Sequence, residues 1–159
     1  MKLDGSCHCG AVKFSVEAPE PTPYLICYCS ICRKTAGSGG FGINLGARTD
    51  TLRIEGSENI RRYHPETGTT GTDATEHSGR RFCGQCGSPL WNYDTRWPDL
   101  IHPHAGAIDT DLPAPPERTH IMLGSAANWV EAHIEENDKS FEEYPDESLA
   151  DWHRRITNQ

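Results

Sequence analysis

Over residues 11–17, AVKFSVE, apolar Val12, Phe14 and Val16 alternate with polar Lys13, Ser15 and Glu17. A period of two marks a half-buried strand, because successive side chains leave opposite faces of an extended backbone. Taken along the chain, this segment reads as the first strand. Further strands are predicted at 24–29, 41–45, 51–55, 59–63, 89–93, 105–108, 119–123 and 128–134. Helical spacing is confined to two places. SICRKTA, after Cys29, supplies a turn or two; residues 146–156, DESLADWHRRI, set Leu149, Trp152 and Ile156 on one face, with Asp146 placed to cap the first turn. That face reads as a docking surface against the sheet. Residues 64–79, HPETGTTGTDATEHSG, lack any period and read as a long mobile loop, either a lid or an idle insertion. Residues 109–118 read as a proline-stiffened connector. The fold expected is mainly β, with few short helices.

Composition agrees with that pattern. A chain of 159 residues supports one core and buries roughly 70% of its unfolded surface. Its 35% hydrophobic content, with 15 Gly and 11 Pro, suits short strands joined by many turns. The opening MKLDGSCHCG has no apolar stretch of signal-peptide type, and no apolar run is long enough to span a bilayer. A reducing cytoplasm and no membrane partner are expected. The net charge of −8 is uneven: residues 1–110 carry 11 basic and 12 acidic side chains, residues 111–159 carry 4 and 11. With no basic stripe for a phosphate backbone, nucleic acid is not an expected partner.

Seven cysteines change the picture. An odd number in a reducing setting fits disulfides badly, and Cys29-Ser-Ile-Cys32 and Cys83-Gly-Gln-Cys86 lack the βαβ context of a redox pair. Metal binding is favoured. The cysteines fall into Cys7-His8-Cys9, Cys27-Tyr28-Cys29 with Cys32, and Cys83-Gly-Gln-Cys86. In a strand, a CxC pair presents both sulfurs to one face, so His8 points away and reads as a surface or packing side chain. In Cys83-Gly-Gln-Cys86-Gly, Gly84 and Gly87 suit a tight metal-binding turn. Two partitions remain open on spacing. Cys7, Cys9, Cys83 and Cys86 close a four-thiolate site and leave Cys27, Cys29 and Cys32 as an open triad, or the middle cluster joins one of the others. Arg33 and Lys34 either offset thiolate charge or hold an anionic ligand near the triad. Gly37, Gly39 and Gly40 allow close backbone approach to a ligand, or simply turn the chain into the next strand. His102 and His104, at i and i+2 of a predicted strand, read as structural. His77 is a speculative fourth ligand for the triad.

The order GSCHCGAVKF, CYCSICRKTAG, RRFCGQCGSPLW, HAGAID, THIMLGSAANWV and FEEYP resembles the glutathione-dependent formaldehyde-activating enzyme family. That family includes the centromere protein V domain and has the Mss-type β-tent zinc-containing fold. The resemblance spans residues 3–145 as one zinc-binding domain, with 146–159 as a C-terminal helical extension. It implies two zinc ions per chain, a structural one on Cys7, Cys9, Cys83 and Cys86 and a catalytic one on Cys27, Cys29 and Cys32. It also implies a carbon–sulfur lyase activity that joins a small thiol such as glutathione to a small aldehyde such as formaldehyde, reversibly giving S-hydroxymethylglutathione. The alternative is a non-enzymatic, zinc-stabilised glutathione carrier or protein-binding module. The long 64–79 segment, where relatives usually have a short turn, departs from the pattern and bears on substrate identity.

Overall fold

The structure is a computed structural model that describes residues 1–20, 22–72 and 78–158. Two compact units emerge, each built from two stretches of chain. One comprises Met1–Pro19 and Gly46–Leu112, the other Glu20–Leu45 and Pro113–Gln159. Among the described residues the chain is mainly β, with two short α-helices.

The first unit holds two sheets. Strands β1 (Lys2–Ser6), β2 (Lys13–Glu17) and β6 (Arg53–Glu55) form a three-stranded antiparallel sheet in the order β1-β2-β6. The strand predicted first is therefore the second. Strand β1 escapes the hydrophobic pattern because its two inward positions are Leu3 and Gly5. A side chain at Gly5 would begin 2.4 Å from Cζ of Phe14, whose ring fills that place. The second sheet runs β5-β11-β10-β9-β7-β8, with β5 (Ala47–Arg48), β7 (Ile60–His64), β8 (Thr69–Gly71), β9 (Gly79–Cys83), β10 (Pro89–Tyr93) and β11 (Leu100–Pro103). Leu3, Val12, Phe14, Val16, Ile60, Leu90, Trp91 and Ile101 are buried in this unit, and Phe14 meets Trp91 edge-on with ring centroids 5.0 Å apart.

The second unit holds one four-stranded sheet, order β13-β12-β3-β4, with β3 (Tyr24–Cys27), β4 (Gly42–Asn44), β12 (Arg118–Ile121) and β13 (Lys139–Ser140). Its central pair, β3 and β12, is parallel and aligns Cys27 with Ile121. Helix α1 (Ser30–Ala36) follows β3 directly. Helix α2 (Leu149–Thr157) is capped by Ser148, whose hydroxyl accepts from the Asp151 N–H at 3.1 Å; the cap expected at Asp146 lies two residues too early. Trp152 is buried, and its indole N–H donates to Glu117 Oε1 at 3.1 Å. Arg155 holds both Glu117 and Glu147, at 2.8 and 2.7 Å.

Three expectations are corrected. Residues 64–79 are not loop throughout, because β8 folds back on β7 and pairs His64 with Thr69. Residues 73–77, and with them His77, lie outside the described residues. Residues 105–108 are not a strand: Ala105–Ala107 form a 3₁₀ turn, and His104 lies one residue past the end of β11. Residues 128–134 alternate like a strand but have no ladder, since the β12 edge is taken by β13; Trp129 and Ile134 stand exposed.

Candidate metal centres

Two groups of cysteines converge, one in each unit. Cys7, Cys9, Cys83 and Cys86 have their sulfurs within 4.8 Å of one another, and so do Cys27, Cys29 and Cys32. None of the seven is in a disulfide. Among the described residues no histidine or carboxylate joins either group. A cleft of about 440 Å³ on the β1-β2-β6 sheet, lined by Lys2, Lys13, Arg53, Glu55 and Asp109 among others, contains no cysteine. The chemistry therefore points to the sulfurs.

The four-cysteine group is assembled by two turns. Cys7-His8-Cys9 occupies the β1–β2 hairpin turn, not a strand, so turn geometry and not strand alternation converges its thiols. Cys83 ends β9, and the turn 84–86 delivers Cys86, with Gly87 in the left-handed region at φ 77° as the spacing required. Backbone groups aim at the sulfurs. The Val12 N–H donates to Cys7 Sγ at 3.2 Å, and Cys83 and Cys7 are fully or almost fully buried. Ser88 serves this turn twice: its hydroxyl lies 3.2 Å from Cys86 Sγ and accepts from the His8 N–H at 3.0 Å. Hydrogen bonds from Ser88, side chain and backbone, lower the Cys86 thiol to about 5. His8 itself is exposed and outside the cluster.

This donor set fits a tetrahedral ion. Bonds of about 2.3 Å to thiolate place neighbouring sulfurs roughly 3.8 Å apart around a tetrahedron. Cys7 and Cys9 are 3.6 Å apart, Cys9 and Cys83 3.8 Å. Four sulfurs, two buried and two exposed, are enough to complete the coordination of such an ion.

The three-cysteine group is built across a strand-to-helix junction. Cys27 is the last residue of β3, Cys29 is the N-cap of α1, and Cys32 lies one turn into that helix. As N-cap, Cys29 accepts from the Cys32 N–H through its sulfur at 3.3 Å, a place usually taken by Ser or Asp oxygen. Hydrogen bonds from the Cys27 and Cys32 thiols, with that N–H, hold the Cys29 thiol well below its usual range. Its neighbours push the Cys27 thiol up. The Asn44 amide reaches Cys32 Sγ at 3.7 Å from β4. Gly42, opposite it, lets α1 approach: a Cβ there would stand 3.3 Å from Cβ of Cys32. Cys27 and Cys32 pack with Ile121, against which Met122 and Phe141 lie.

The remaining candidates settle around this junction. Arg33 is half-buried and donates to the Ser125 carbonyl at 3.3 Å, while Lys34 is exposed. The glycines of AGSGGFG make a turn. The Gly40 N–H donates to Gly37 O at 3.1 Å, Gly40 has φ 97°, and a Cβ on Gly37 would fall 1.6 Å from the Phe41 carbonyl oxygen. Sequence reasoning missed Asn44, Val12 and Ser88 as sulfur partners. Only Ser88 carried a signal, two residues beyond the last cysteine of the knuckle.

Comparisons with known proteins agree with this geometry. A sequence profile for glutathione-dependent formaldehyde-activating enzymes matches residues 2–125. A Halomonas elongata protein, provisionally named a glutathione-dependent formaldehyde-activating enzyme, is 53% identical over 156 residues, covering 98% of this chain and 97% of its own. A crystal structure of a Rhodobacter sphaeroides protein superposes with a TM-score of 0.53 at 29% identity, covering 71% of this chain and 92% of that one. With one profile across most of its length and a relative matched end to end, the chain belongs to the glutathione-dependent formaldehyde-activating enzyme family.

Proposed function

We propose that this protein binds zinc at both cysteine groups and reversibly joins a small thiol such as glutathione to a small aldehyde such as formaldehyde, giving S-hydroxymethylglutathione. The observation that supports this most is the contrast between the groups: four sulfurs converge in one unit and only three in the other. A structural site closes with four protein ligands, and a site that does chemistry keeps one position for water or substrate. When bound at the triad, zinc supplies a positive centre that favours ionisation of an incoming thiol. The charge of the three cysteine thiolates outweighs that of a divalent ion by one, which makes carbonyl polarisation the weaker contribution. In the reaction the thiol sulfur bonds to the carbonyl carbon, the carbon–oxygen π bond breaks, and the thiol proton passes to the oxygen. Cleavage runs the same steps backward.

Arg33 and Lys34 are proposed to meet the carboxylates of glutathione. Arg33 projects from the second turn of the helix that carries Cys29 and Cys32, and its tie to Ser125 limits where its charge is presented. The proposal includes a reducing, cytoplasmic setting, which thiol ligands require; no helix among the described residues is long and apolar enough to cross a membrane.

Exchange NMR of glutathione and formaldehyde tests the reaction, with the zinc-loaded protein compared against its Cys29→Ser variant and buffer. Acceleration by the intact protein alone is the expected result. Rates equal to buffer with glutathione still bound would replace the enzyme by a glutathione carrier.

A further inference from the structure

Tyr28, the residue between Cys27 and Cys29, is 1% exposed despite its hydroxyl. That hydroxyl lies 2.9 Å from Nδ1 of His120, and Nε2 of His120 lies 3.3 Å from Oδ2 of Asp138. His120 is 1% exposed and the Asp138 side chain 4%. A carboxylate only accepts, so His120 Nε2 donates to it; in the neutral ring Nδ1 then accepts from the tyrosine hydroxyl. The hydrogen bonds link Tyr28 through His120 to Asp138.

The far end of this link is held by several partners. Asp138 accepts from the Arg118 N–H at 2.9 Å and the Glu135 N–H at 3.0 Å, and the Arg118 guanidinium stands 3.5 Å away. Its near end is clamped too. The Tyr28 N–H donates to the Ile121 carbonyl at 3.0 Å, and its ring centroid lies 5.9 Å from that of His120 and 5.5 Å from that of Phe41. A phenylalanine packed on an aliphatic residue would fill this space without burying a carboxylate, an imidazole and a hydroxyl, each of which costs stability unless fully paired. A polar cluster of this kind can fix a geometry that packing alone leaves loose.

What it fixes follows from covalent geometry. Cys27 is held in register by Ile121 on one side and Gly42 on the other, and Cys29 is held as the helix cap. Between them the backbone dihedrals of residue 28, together with the two cysteine rotamers, set how the sulfurs meet. Resting on the proposed metal triad, we propose that Tyr28, His120 and Asp138 are positioning residues that lock the Cys27–Cys29 pair in its metal-binding geometry before a metal arrives. They touch no reacting atom. Partners of this kind, one step removed from the ligands, typically change metal affinity 10–100-fold.

The test is a cobalt(II) titration of the reduced full chain, read by thiolate-to-metal and d–d absorption. The Cys29→Ser chain gives the spectrum of the four-cysteine site for subtraction. Tyr28→Phe and Asp138→Asn are expected to weaken cobalt at the triad about 10–100-fold and shift its d–d bands, with the four-cysteine site unmoved. Both variants binding at the triad within about twofold of wild type, even with a lower thermal midpoint, would make the relay purely structural and overturn the proposal. If Asp138→Asn does not fold, Tyr28→Phe, which removes a single oxygen, carries the same comparison. A wild-type chain showing only the Cys29→Ser spectrum would overturn the metal triad itself, and the relay with it.

Discussion

His104 is 3% exposed, and neither ring nitrogen has a hydrogen-bond partner among the described residues. Burial, with the positive charges of Arg80 and His102 behind it, lowers its pKa from 6.5 to about 3. The folded protein thus holds this imidazole neutral where the unfolded chain protonates it. Between pH 6.5 and 3 the unfolded state binds the extra proton, so stability falls as pH falls, and the loss levels off only below the folded pKa. The slope is about 1.4 kcal/mol per pH unit inside that window, which makes the loss from pH 7 to pH 5 about 2 kcal/mol. Other groups titrate there as well, so the measurement is a difference. Urea unfolding of wild type and of His104→Gln is followed at pH 7, 6 and 5. The variant starts less stable or equal at pH 7, and its deficit should shrink by about 2 kcal/mol at pH 5. Parallel stability curves for the two proteins across this range would refute the reasoning, since they would mean that His104 protonates freely in the fold.

Three further outcomes are expected. Zinc per chain, measured by metal analysis, should fall from two to one in Cys29→Ser with the far-UV circular dichroism retained; both ions kept, or an unfolded chain, would break the division into four and three. Trp152→Ala removes a buried indole and its hydrogen bond to Glu117, and should cost about 3–5 kcal/mol in urea unfolding; a loss below about 1 kcal/mol would show α2 to be dispensable. Gly37→Ala puts a methyl where the Phe41 carbonyl lies and should cost about 1–3 kcal/mol by differential scanning calorimetry, with weaker metal uptake at the triad. An unchanged midpoint would mean that the turn after α1 shifts freely.

Both cysteine groups were legible because ligand chemistry is written in residue identity and spacing. The partition into four and three was open on spacing and was implied by the family resemblance; the structure brings the same sets of sulfurs together. Strand β2 was legible because Val12, Phe14 and Val16 alternate cleanly. Strand β1 was not, since a glycine holds one inward position to make room for a ring from its neighbour, and β9 was not, since one of its inward residues is Arg81, fully buried. Residues 128–134 misled in the opposite sense: alternation marks a surface that could pair, and pairing also needs a free strand edge. Tyr28, His120 and Asp138 left no local trace, because their hydrogen bonds join residues 92 and 18 apart in sequence.

The parallel pairing of β3 with β12 sets an order of events on the ribosome. Cys27 is synthesised 94 residues before Ile121, the residue beside it in the sheet. At about 5–20 residues per second, roughly 5–20 s pass before β3 can find that neighbour. The four-cysteine unit is fully translated at Leu112, ahead of the C-terminal stretch that the other unit needs. During that interval Cys27, Cys29 and Cys32 are nascent thiols without their sheet, open to any soft cation or oxidant in the cell. The last sulfur group to be assembled is the one with three cysteines.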